Sequence, residues 1–150
     1  MSLKAVRAII GAALVLAAAG LTAAGEKPAV NKTGDTAIKG YDMVAYTTGT
    51  PAKGDPQFGH AWNGATWHFV SAANRDAFAR EPERFAPQFG GYCAWAVSRG
   101  YTADVDPEAW KIVDGRLYLN YSKSVQRRWE QDIPGNIQKA QANWPGVLAK

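Results

Sequence analysis

The chain has 150 residues, among them six Trp, six Tyr and five Phe, and 20% of it is charged. That make-up suits one globular domain with a large aromatic core and excludes a disordered or fibrous chain. The formal charge of +4 is spread over mixed runs such as Arg75-Asp76, Glu83-Arg84 and Arg127-Arg128-Trp129-Glu130, so no nucleic-acid partner is expected, and the single Cys excludes an internal disulfide.

Residues 1–24 have the pattern of a secretory signal peptide. Lys4 and Arg7 form a positive start, Ala8 to Ala24 is an uncharged apolar run, and Thr22, Ala23 and Ala24 are small enough for a cleavage site. An uncleaved anchor is the rival reading, but a membrane span wants about 20 strongly apolar residues and this run is diluted by Ala and Gly. A lipoprotein would need a Cys at the cleavage point, where there is none. The expectation is a periplasmic or secreted protein with no stable membrane insertion after cleavage. Subtracting Lys4 and Arg7 leaves a charge of +2.

Residues 25–39 are polar, contain Pro28 and Gly34, show neither helical nor strand periodicity, and are expected to be a tether. The domain is expected over 40–146. Gly40 to Tyr46 has strand-type residues, and Thr47 to Pro56 is rich in turn formers. Asn63-Gly64 and Asp114-Gly115 each sit between strand-like runs, which predicts two antiparallel hairpins closed by type I′ turns. Between them, Ser71 predicts a helix cap, Pro82 the first turn of a second short helix, and Tyr92 to Val97 a third, ended by Gly100. Val125, Trp129, Ile133, Ile137, Ala140 and Trp144 form one apolar stripe, divided by Pro134 into two C-terminal helices. The predicted fold is a single α+β domain, with a small antiparallel sheet of hairpins, flanking short helices and two helices at the end. No internal repeat with a period of about 20–50 residues is apparent.

Gly64, Trp67, Phe69, Ser71, Phe78, Pro82 and Phe85 resemble the signature of the YHS domain family. Gly40-Tyr41-Asp42, Gly90-Gly91-Tyr92-Cys93-Ala94, Asp106-Pro107-Glu108-Ala109-Trp110, Leu117 to Tyr121 and Asn143-Trp144-Pro145 resemble further motifs of its exported bacterial members. The resemblance runs from Gly40 to Trp144 and implies a link with metal handling. Metal-type members carry thiolate or imidazole ligands at the positions of Val70 and Asn74, and commonly a Cys in the opening motif, where this chain has only Met43 as a sulfur residue. That thiolate site is absent here.

Cys93 remains as the candidate for chemistry. If Tyr92 opens a helix, the sulfur lies in its first turn, where the helix dipole favours a thiolate; a small buried hydrophobe is the other reading. His60 and His68 fall on opposite faces of the first hairpin, so a two-His site is disfavoured there. Cys93 with His68 is the better candidate for a copper or zinc ion, with Tyr41, Asp42 and Tyr92 as ligand-binding neighbours. No nucleophile elbow, His-Glu-x-x-His or phosphate-cradling loop is present. The expected function is an exported module that binds a metal ion or small molecule. The alternatives are a thiol-dependent redox protein or enzyme using Cys93, and a non-catalytic scaffold with a core cysteine.

Overall fold

Both predicted turns close hairpins, with left-handed backbone at each of their central residues: φ is 49° and 78° at Asn63 and Gly64, and 50° and 75° at Asp114 and Gly115. The computed structural model describes residues 25–150. In the first hairpin β3 (Asp55–Trp62) pairs antiparallel with β4 (Ala65–Phe69), with His60 opposite Trp67. In the second, β5 (Asp106–Val113) pairs with β6 (Arg116–Asn120). The first sheet is mixed: β1 (Lys32–Thr33) and β2 (Thr36–Ala37) add to it in the order β1-β2-β4-β3, and β2 runs parallel to β4.

The helices expected from Ser71 and Pro82 start there, whereas the third opens at Ala94 and not at Tyr92, so Cys93 precedes it instead of lying in its first turn. Ser71 Oγ accepts the Asn74 N–H at the head of α1 (Ala72–Arg80), and Ser122 Oγ accepts the Val125 N–H at the head of α4 (Lys123–Glu130). Pro82 opens α2 (Pro82–Phe85), and Cys93 precedes the short α3 (Ala94–Ser98). Asp132 caps α5 (Ile133–Asn143), so the C-terminal stripe is two helices, with Trp129 and Ala140 fully buried.

Two further sequence expectations fail. The stretch 25–39 is not a tether, because Val30, Ala37 and Ile38 lie in the core at 2%, 0% and 1% exposure, and Asn31 donates to the Gly91 and Asp104 oxygens. Its polar composition reflects β1 and the turn, while three of its apolar residues, Val30, Ala37 and Ile38, point inward. Residues 40–46 are not a strand. Asp42 Oδ1 accepts the N–H groups of Val44 and Ala45 at 2.8 and 3.1 Å, which curls the chain into a one-turn 3-10 helix over Ala45–Thr48.

The chain also carries an internal repeat with a period of 51 residues. Asp55 and Asp106, Asn63 and Asp114, Ser71 and Ser122, and Phe78 and Trp129 are each 51 residues apart. Each copy opens with a left-handed turn, Gly40 (φ 80°) in one and Gly91 (φ 78°) in the other. Asp42 N–H donates to Ala52 O, and 51 residues later Cys93 N–H donates to Ala103 O, both at 2.9 Å. Both hairpins slip register after the Asp-Pro pair, where the Asp side chain accepts the N–H two residues on. The cores match too. Trp67 lies 5.1 Å from Phe78 at 34°, and Tyr118 lies 5.4 Å from Trp129 at 34°. Leu117 and Leu119 of the second hairpin reach into the first core, which joins the copies into one domain.

Candidate functional site

Asp42 and Cys93 are counterparts in the two repeats, and their surroundings are the same backbone. Asp42 is fully buried; Oδ1 takes the Val44 and Ala45 N–H groups, and Oδ2 takes Val70 N–H at 2.9 Å and Asn74 Nδ2 at 2.8 Å. This carboxylate ties the opening turn to the junction of β4 and α1. Positions 70 and 74, where the family resemblance would put metal ligands, both spend a donor on it.

In the second copy the acceptor is sulfur. Cys93 Sγ takes the Tyr121 N–H at 3.3 Å, the counterpart of Val70 N–H, and donates to Asn120 Oδ1 at 3.6 Å. Trp95 N–H, the counterpart of Val44 N–H, goes to the same Asn120 oxygen at 3.1 Å. Burial at 1% exposure pushes the Cys93 thiol up from its ordinary value, and the N–H groups of Ala96, Tyr121 and Trp95, which pull it down, do not cancel that. The expected thiolate is therefore replaced at rest by a protonated, hydrogen-bonded thiol.

The residues expected to gather around Cys93 do other work. His68 sits on the face of β4 opposite Trp67 and Phe69, against the backbone at Gly40, whereas Cys93 packs in the core that those two rings fill. They share no wall or hydrogen bond, because alternation along β4 turns His68 away. Tyr41 makes a backbone bridge to Lys53 with its ring partly buried. Tyr92 donates its hydroxyl to Pro28 O at 2.8 Å, holding the N-terminal segment down, and burial raises its pKa. Among the described residues no three of His, Cys, Asp and Glu come together to hold a metal ion. The neighbours of the Cys93 sulfur are the Tyr121 N–H and Asn120 Oδ1, and His68 is not among them.

Two open cavities lie near these residues. One, of about 290 Å³, has Cys93 in its wall with Trp95, Tyr101, Tyr121 and Arg128. The larger, of about 460 Å³, lies where the repeats meet. Its lining includes the rings of Trp62, Trp67, Phe89 and Trp144, with Asn63, Glu83, Gln88 and Gln141. These rings are braced by their neighbours. Trp62 packs edge-on to Phe78 at 5.7 Å, and Trp67 Nε1–H donates to Trp62 O; Trp144 rests on Phe89 and Tyr92 at 6.2 Å each. The cleft escaped sequence analysis because its rings come from four separate elements, and Trp144 reads as part of a helical stripe that ends one residue before it.

Comparison with protein-family models, with curated proteins and with solved structures found no match.

Proposed function

We propose that this chain is an exported protein of the YHS type that acts as a non-catalytic binding module, taking a small organic molecule into the aromatic cleft between its repeats. Export rests on the pattern of residues 1–24, which lie outside the described residues. No helix among the described residues is long and apolar enough to cross a membrane. The observation that carries the binding reading is the braced cleft of about 460 Å³: aromatic walls with a few polar groups at the edge are the usual make-up of a small-molecule site. Copper or zinc binding at Cys93 and His68 is disfavoured by the opposite orientations of the two side chains. The YHS signature residues Trp67, Phe69, Phe78 and Phe85 are buried and Ser71 is a helix cap, so they carry packing rather than chemistry.

Titration with small aromatic and aliphatic compounds, followed by the indole N–H resonances of Trp62 and Trp144, tests the proposal. A binding compound should shift both resonances and leave that of Trp95 in place. Trp144→Ala should weaken it at least about tenfold, or roughly 1.4 kcal/mol. Shifts confined to Trp95, or binding unchanged in Trp144→Ala, would remove the cleft from consideration.

A further inference from the structure

The charge in the cleft between the repeats narrows what its rings can hold. The chain carries 17 Lys and Arg against 13 Asp and Glu, yet the described residues that line this cleft include no Lys, Arg or His. Their one ionisable side chain is Glu83, on α2. Glu83 makes no ion pair among the described residues. Arg84 beside it is engaged elsewhere, 3.0 Å from Glu81 and over the Phe85 ring at 5.1 Å. The other polar side chains of the lining, Asn63, Gln88 and Gln141, are neutral amides, so the cleft carries a single negative charge.

The rings act in the same direction. The face of an aromatic ring is the negative side of its quadrupole, and a cation within about 6 Å of the ring centre is attracted to it. Adjacent lining rings are inclined to each other: Trp62 and Trp67 by 52° with centres 5.7 Å apart, and Phe89 and Trp144 by 63° with centres 6.2 Å apart. A flat ligand that stacks on one ring of such a pair cannot stack on the other, whereas a rounded group can touch both. A fully methylated ammonium is rounded and positive, and it has no N–H that would need an acceptor. An anion would face the Glu83 carboxylate with no cation in the lining to offset it.

We infer, on the basis of the small-molecule binding proposed for this cleft, that its ligand is a small organic cation with a methylated ammonium group, held against the aromatic rings with Glu83 as its counter-charge. Glu83 is exposed, so its attraction is weakened by salt, and the ring faces carry the larger part of the selectivity.

Choline and its neutral isostere, the alcohol with a tert-butyl group in place of trimethylammonium, are titrated into the full-length chain by calorimetry and by the indole N–H resonances of Trp62 and Trp144. Choline should shift both resonances and bind at least about tenfold more tightly than the isostere, or roughly 1.4 kcal/mol. Glu83→Gln, a change of one exposed atom, should weaken choline about two- to fivefold and leave the isostere unchanged. An isostere that binds as tightly as choline, or choline binding that Glu83→Gln does not move, overturns the inference. Neutral compounds that shift Trp62 and Trp144 where choline does not would overturn it and leave the cleft a small-molecule site. If no compound shifts these two resonances, the proposed function falls with it.

Discussion

Asp42→Asn is the sharpest perturbation of the fold, because it changes one atom and nothing in shape. The carboxylate serves four donors, two on each oxygen, all between 2.8 and 3.1 Å. An Asn side chain in the same rotamer keeps one oxygen for one pair, and its NH₂ faces the other pair, donor against donor. If the oxygen stays with Val44 and Ala45, the Val70 N–H loses its partner and Asn74 must turn away. An unsatisfied buried donor costs roughly 1–3 kcal/mol, and the loss of charge weakens the bonds that remain. The sum is about 2–4 kcal/mol, a large share of the roughly 5–15 kcal/mol that holds a domain of this kind. At about 4 °C per kcal/mol, Tm should fall by roughly 8–16 °C. Urea and thermal melts of wild type, Asp42→Asn and Asp42→Ala measure this directly, with Asp42→Ala the least stable. A loss below about 0.5 kcal/mol for Asp42→Asn would mean that the knot is not formed and that the matching cradle around Cys93 has lost its precedent.

Cys93 predicts a pH dependence. Burial raises the folded thiol above its unfolded value of about 8.5, so the unfolded chain gives up its proton first as pH rises; the stability is intact below about pH 8.5 and declines above it until the folded thiol ionises too. Urea melts at about pH 7.5 and 9.5 should show the decline in wild type and a smaller one in Cys93→Ala, and equal declines would contradict it. Deleting residues 25–39 removes Val30, Ala37 and Ile38 from the core, each of the larger two contributing roughly 1.5–3 kcal/mol, so a chain starting at Gly40 should give no cooperative melt; a folded truncation would restore the tether. Gly64→Val and Gly115→Val meet no atom within 4 Å, so their expected cost of more than about 1 kcal/mol comes from backbone conformation alone, and unchanged melting temperatures would refute the turn assignment.

Local chemistry was legible where one or two residues decide the outcome. Asn63-Gly64 and Asp114-Gly115 gave the hairpins, Ser71 and Pro82 the helix starts, and the stripe through Trp129 the buried C-terminal helices. The repeat was hidden because its copies agree in backbone devices and not in side chains. Gly40 and Gly91, or Ser71 and Ser122, are too few identities to see, while Trp67 is answered by Tyr118, Phe78 by Trp129, and a carboxylate by a thiol. The strand expected at 40–46 failed for a related reason: residue type favoured extension, but the Asp42 side chain bonds its own backbone two and three residues on. The neighbours of Cys93 were not legible, since a strand's alternation sets His68 on the far face while Asn120 and the Tyr121 N–H come from 27 and 28 residues downstream.

The proposed function is tested most directly by native mass spectrometry of the protein purified from its own host, run beside Trp144→Ala and Cys93→Ala from the same source. Wild type and Cys93→Ala should carry a noncovalent adduct with the mass of a small organic molecule, and Trp144→Ala should have lost it. Wild type with no adduct, or with a copper or zinc ion that Cys93→Ala removes, would contradict the account.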